Sequence, residues 1–166
     1  MTEPKWLRAA RAKLGTKEAP GSANSPTILG WAKRLGIKVL GIIYNADSVP
    51  WCGVFVGYCL QENGIELPAI AVRATSWSTW GQSLRPERLA PGTVLVFERP
   101  GGGHVGFYVG EDAKAYHVLG GNQGDAVTIA RVAKDRCIAR RWPPGRPVIG
   151  KPVQMTASKP ISSAEA

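Results

Sequence analysis

Apolar positions near the start of the chain recur at helical spacing. In EPKWLRAARAKLG (residues 3–15), Trp6, Leu7, Ala10 and Leu14 share one face, and Gly15 offers a C-terminal cap, so the segment predicts a short amphipathic helix. The polar, Pro- and Gly-containing stretch TKEAPGSANSP reads as loop. Ser25-Pro26 then opens a second helix, TILGWAKRLG, whose expected stop is Gly36. The following IKVLGIIYNADS is apolar and fits strand and helix equally. Between Pro50 and Asn63 the signals agree on a buried helix: Asp47 or Ser48 as cap, Pro50 in the first turn, and Phe55, Val56, Cys59 and Leu60 on one face before Gly64.

Beyond a turn-rich stretch (68–92), the period changes to two. APGTVLVFERP, HVGFYVGED, AYHVLGGNQ, AVTIARVA and CIARRWPPG predict five strands at short spacing, separated by Gly, Asp and Lys turns. Helices first and an antiparallel sheet second imply an α+β domain with the helices packed on one side of the sheet, not the alternating order of a doubly wound fold. We place one catalytic-size domain at 1–145 and a Pro/Ser-rich tail at 146–166, expected to be extended or disordered. No internal repeat is visible.

Composition narrows the class. The 166 residues suffice for one domain with a sizeable core, and 20 Gly with 13 Pro favour many turns over a helical bundle. With 21 Lys plus Arg against 12 Asp plus Glu, the net charge of +9 favours anionic surroundings such as wall polymer, a lipid surface or nucleic acid. The basic residues are scattered without a nucleic-acid-binding motif, which makes nucleic acid the weaker partner. There is no apolar run of about 18 residues, and MTEPKWLRAARAKLG lacks the apolar core of a secretory leader. The expectation is synthesis and retention in the cytoplasm unless the chain is released or exported by other means. Cys52, Cys59 and Cys137 form no close pair, and a helix would separate the first two by about 10 Å along its axis, too far for a disulfide.

Cys52 is expected in the first turn of the buried helix, where free N–H groups and the positive end of the helix dipole favour a thiolate. Its partner would be one of two histidines. His104 follows three glycines at the start of a strand, placed to project into a groove, whereas His117 lies inside an alternating strand and reads as packing or a groove wall. An imidazole needs an orienting group on its far nitrogen. GGNQGD supplies Asn122, the favoured choice, with Gln123 and Asp125 as competitors. Trp51, Trp77, Trp80 and Gln123 are candidates for gripping a substrate; the alternative for the tryptophans is core packing.

Together DSVPWCGVFVGYCLQENG, GGGHVGFYVGED and YHVLGGNQGDAV, in this order, resemble the CHAP and NlpC/P60 group of papain-like cysteine amidases and peptidases, over roughly residues 6–142. The resemblance implies a papain-like fold and a cofactor-free, monomeric peptidoglycan hydrolase of the endolysin kind. It would cleave a wall amide bond as endopeptidase or N-acetylmuramoyl-L-alanine amidase. Cys52 matches the nucleophile, His104 the base and Asn122 the third residue. The sequence departs from the family at Gly120, where many CHAP domains carry an acid two positions before the asparagine. Such a protein would act on the wall, in the periplasm or outside, after phage-type release or dedicated export.

Other chemistries find fewer residues. Two histidines without HExxH or CxxC spacing are too few for a zinc amidase, no GxSxG elbow occurs, and Glu18, Glu62 and Glu66 are unpaired in sequence for a glycosidase. A noncatalytic wall-binding module, with tryptophans on the surface and Cys52 as a small hydrophobe, is the contrasting class; an exported antibacterial effector would share the thiol chemistry.

Overall fold

In the computed structural model, which describes residues 3–20, 23–163 and 165, three α-helices precede a six-stranded antiparallel sheet. Helix α1 (Lys5–Arg11) buries Trp6, Leu7 and Ala10. The Trp6 indole donates to Gly92 O at 2.9 Å and meets Trp142 edge-on, with ring centroids 5.2 Å apart, tying the first helix to the last strand.

Helix α2 (Pro26–Leu40) starts as its sequence requires: Ser25 Oγ accepts from the Ile28 N–H, and proline stands in the first turn. The regular helix stops at Gly36, as its sequence predicts. That residue takes φ 82°, a left-handed kink, and the helix resumes to Leu40 before Gly41 closes it at φ 86°. Burial of Leu40 and the bond from Ala71 N–H to Val39 O hold the second helical piece that follows the break.

Helix α3 (Cys52–Gln61) buries every residue except Tyr58 and Gln61 and packs against α1 and α2. It begins two residues after Pro50, and neither Asp47 nor Ser48 caps it. Asp47 instead closes the loop before α2: its Oδ2 accepts from Ala19 N–H at 2.8 Å and Ser25 N–H at 2.6 Å. Gly53 is required where α3 meets the 71–72 segment. A Cβ there would lie 2.2 Å from Ala71 O and 2.8 Å from Val72 O. Gly53→Ala is therefore expected to lower stability by about 1–3 kcal/mol through overpacking, read as a drop in thermal midpoint.

The sheet runs in the order β1-β6-β2-β3-β4-β5, from β1 (Gln82–Ser83), β2 (Val94–Arg99), β3 (Gly102–Glu111), β4 (Ala115–Gly120), β5 (Thr128–Ala133) and β6 (Cys137–Trp142). All neighbours are antiparallel, and every strand predicted from alternation is present. Alternation along β2 divides two apolar clusters. Val94 and Val96 join the helices, while Leu95 and Phe97 pack with Tyr108, Tyr116, Val118 and Val132. The α+β reading thus holds.

His117 serves the second cluster's rim. Its Nε2 lies 2.7 Å from Asp112 Oδ2, and Arg131 grips the same carboxylate through Nε and Nη2 at 2.8 and 2.9 Å. The Arg131 guanidinium, with His117 adding, holds that carboxyl far below the usual carboxylate range. Arg131 also donates to Lys159 O, and its own carbonyl accepts from Ser162 N–H at 2.7 Å. Earlier in the tail, Val153 and Met155 bond the backbone of Glu111. Described residues of 146–166 make isolated bridges to Glu111 at the end of β3, to Arg131 on β5 and to Gln123.

Candidate active site

The backbone brings Cys52, His104 and Gln123 into one line. Cys52 is the first residue of α3 and its thiol hydrogen-bonds the His104 side chain. His104 Nε2 lies 2.9 Å from Gln123 Oε1, which leaves Nδ1 as the ring nitrogen for the thiol. Gln123 cannot turn its amide over at no cost. Its Nε2 donates to Val118 O at 3.1 Å and Thr128 O at 2.8 Å, so Oε1 faces the imidazole and Nε2 of His104 carries the hydrogen. The ring also stacks on Phe97 across the β2–β3 ladder, with centroids 6.3 Å apart.

Electrostatics favour a reactive sulfur. Burial pushes the Cys52 thiol up, but the hydrogen bond and charge of His104, joined by the backbone N–H groups of Val105 and Gly53, bring it net below its ordinary value. Cys59, seven residues on, lacks such partners: burial pushes its thiol up to about 12. Burial likewise raises Cys137. All three cysteines are free.

Asn122, the residue expected to orient His104, does something else. Its Oδ1 accepts from the Trp51 backbone N–H at 2.6 Å, satisfying an orphan donor at the start of α3. Its Nδ2 donates to Glu18 Oε1 at 3.3 Å, and the same oxygen accepts from the Trp51 indole at 2.8 Å. Asn122 sits at φ 60°, a left-handed conformation that asparagine tolerates; its side chain is thereby bonded to the helix while its neighbour's is bonded to the histidine. Asp125, the other competitor, accepts from Glu18 N–H through its backbone carbonyl. Burial pushes the Glu18 carboxyl above its ordinary value, against the pull of the Trp51 indole. Sequence alone offered no signal for Glu18, which sits in a loop 104 residues from its partner Asn122.

Gly120 explains its own identity. A Cβ built there would stand 2.6 Å from Gln123 Oε1 and 3.4 Å from His104 Nε2, so the space beside the imidazole is filled by the glutamine. Gly120→Ala should displace the Gln123 amide and lower any turnover that needs an oriented His104 by about 10–100-fold, with kcat rather than KM carrying the loss. An unchanged kcat would show that this amide does not position the ring.

The tryptophans, candidates for a groove wall or for core packing, belong to the core. Trp51 and Trp77 are fully buried and Trp80 is 8% exposed. The indoles of Trp77 and Trp80 donate to Ala71 O and Glu66 O, and the two rings meet edge-on at 5.1 Å. Aromatic bulk next to turns signals packing as readily as recognition, and here each ring finds a protein partner for its N–H. Among the described residues, no group of three or more His, Cys, Asp or Glu side chains could hold a metal ion, and no helix is long and apolar enough to cross a membrane. No protein-family model and no curated protein sequence matches the chain.

Proposed function

We propose that this protein is a papain-like cysteine hydrolase that cleaves an amide bond of bacterial peptidoglycan, as an endopeptidase or N-acetylmuramoyl-L-alanine amidase. One observation carries the reading: a thiol at a helix start, hydrogen-bonded to an imidazole whose far nitrogen is held by a buried, fully bonded amide. This is the working arrangement of a thiol nucleophile, its base and its orienter. Gln123 takes the orienting role in place of Asn122, and Asn122 anchors the nucleophile's helix.

The chemistry is acyl transfer. The Cys52 sulfur attacks the amide carbonyl, forming a C–S bond, and the imidazolium of His104 gives its proton to the departing nitrogen as the C–N bond breaks. Water, deprotonated by His104, then releases the acyl group as a carboxylic acid and restores the thiol. The Cys52 backbone N–H, at the first helical position where no intrahelical acceptor exists, is the donor assigned to the oxyanion. The +9 charge favours encounter with anionic envelope polymers or lipid surfaces in a salt-dependent way.

The contrasting wall-binding module needs surface aromatics. All six tryptophans of the chain are buried, which weighs against it. The test is loss of turbidity of permeabilised bacterial walls, followed by mass spectrometry of the soluble muropeptides to identify the cleaved amide. Walls left intact, with no new amine or carboxyl ends, would overturn the proposal. Origin as a phage lysin or as an exported effector uses the same site.

A further inference from the structure

The C-terminal tail carries an acidic side chain in a buried setting. Glu165 exposes 2% of its side chain. Its carboxylate pairs with the Arg136 guanidinium, and its Oε2 accepts from Ser162 Oγ at 2.7 Å. Burial alone would push this carboxyl up, yet Ser162 and Arg136 hold it below its ordinary value. The seat is therefore built for an anion.

It also adjoins the catalytic line. Glu165 forms an isolated antiparallel bridge with Gln123, whose Oε1 touches His104. Arg136 in turn lines a groove of about 530 Å³ together with Thr75, Arg99, Gly102 and Ile138, and Gly102 lies two residues before His104 on β3. The groove carries two guanidinium groups against the single exposed carboxylate of Glu98. Arg136 Nε donates to Glu98 O at 2.9 Å, and its Nη2 meets the Glu165 carboxylate, so the guanidinium is fixed by one bond and serves a carboxylate with another.

We propose that Arg136, with Arg99 beside it, forms a carboxylate-binding subsite of the Cys52 centre for the free carboxylate of a peptide substrate, and that the chain's own Glu165 occupies it in this structure. The substrate class rests on the function proposed above. A tethered carboxylate competes at an effective concentration on the order of millimolar, so a weakly binding peptide is excluded until the tail leaves. The tail then acts as an internal competitor whose release admits peptides ending in a carboxylate.

The subsite is tested without catalysis, in the full chain carrying Cys52→Ala. Acetyl-D-alanyl-D-alanine and its C-terminal amide are titrated calorimetrically into this protein, with and without Glu165→Gln. Glu165→Gln is expected to tighten binding of the acid at least about tenfold and to leave the amide unchanged. Adding Arg136→Gln should remove that gain, and Arg136→Lys, which keeps the charge, should retain part of it. Equal affinity for acid and amide, or no response to Glu165→Gln in a folded protein, would overturn the subsite. Tight acid binding in a chain whose parent leaves walls intact would instead retain the subsite and reject wall hydrolysis.

Discussion

Cys52→Ala and Cys52→Ser are expected to reduce wall lysis by at least about 10⁴-fold, to the background of the assay, while leaving far-UV circular dichroism unchanged. The size follows from the role. Without the sulfur no acyl-enzyme forms, and a serine hydroxyl at this position has a far higher pKa that one neutral imidazole does not overcome. The fold should persist because Cys52 is one small side chain in a core that also holds Trp51, Phe55 and Leu60. Undiminished lysis by either variant would sink the thiol mechanism.

The same lowered pKa gives a second readout. Alkylation by iodoacetamide requires thiolate, so labelling at Cys52 should rise and level off at lower pH than for an ordinary thiol, about 8.5, whereas Cys59, pushed up to about 12, stays inert through neutral pH. Because Cys52 exposes 2% of its surface, its absolute rate is set by local opening, but the pH midpoint still reports the thiolate. The linkage sign agrees. A folded pKa below the unfolded one contributes stability that is fully present above the unfolded value and is lost as pH falls through the folded value, and Cys52→Ala should lack that increment. Equal inertness of both thiols would favour a structural cysteine.

Much of this arrangement was legible in the chain because it is local. Five alternating runs became five strands, and Ser25-Pro26 set the start of α2, since side-chain alternation and caps depend on near neighbours. Cys52 and His104 were legible for a related reason: a helix start and a glycine-led strand start each mark a place where a polar side chain can face a site. The rest needed long-range information. The helix broke at Gly36 as expected, but the second helical piece beyond it, in a stretch that fits strand and helix equally, forms because Leu40 and Val39 find partners there. For the tryptophans, groove wall and core packing both stayed open, because pattern does not say which way an indole faces. Glu18 had no signal, since its partners Trp51 and Asn122 are 33 and 104 residues away.

The exchange of Asn122 for Gln123 is the instructive case, and it yields a ranking. Both are buried amides at one turn, and one residue of displacement sends their side chains to different elements. Gln123→Ala removes the acceptor on His104 Nε2 and leaves Val118 O and Thr128 O short of a donor. We expect a kcat loss of about 10–100-fold and a stability loss of about 1–3 kcal/mol. Because that oxygen favours the protonated ring, its removal should move the pH–rate limb governed by His104 to lower pH. Asn122→Ala breaks the bonds to Trp51 N–H and Glu18, loosening the start of α3, so it should lower the thermal midpoint while leaving that limb in place. His104→Ala, which removes the proton-transfer group itself, should cost more turnover than either. If Asn122→Ala moves the limb and Gln123→Ala does not, the orienting role returns to the asparagine, and the 2.9 Å contact of Gln123 with the imidazole is packing alone.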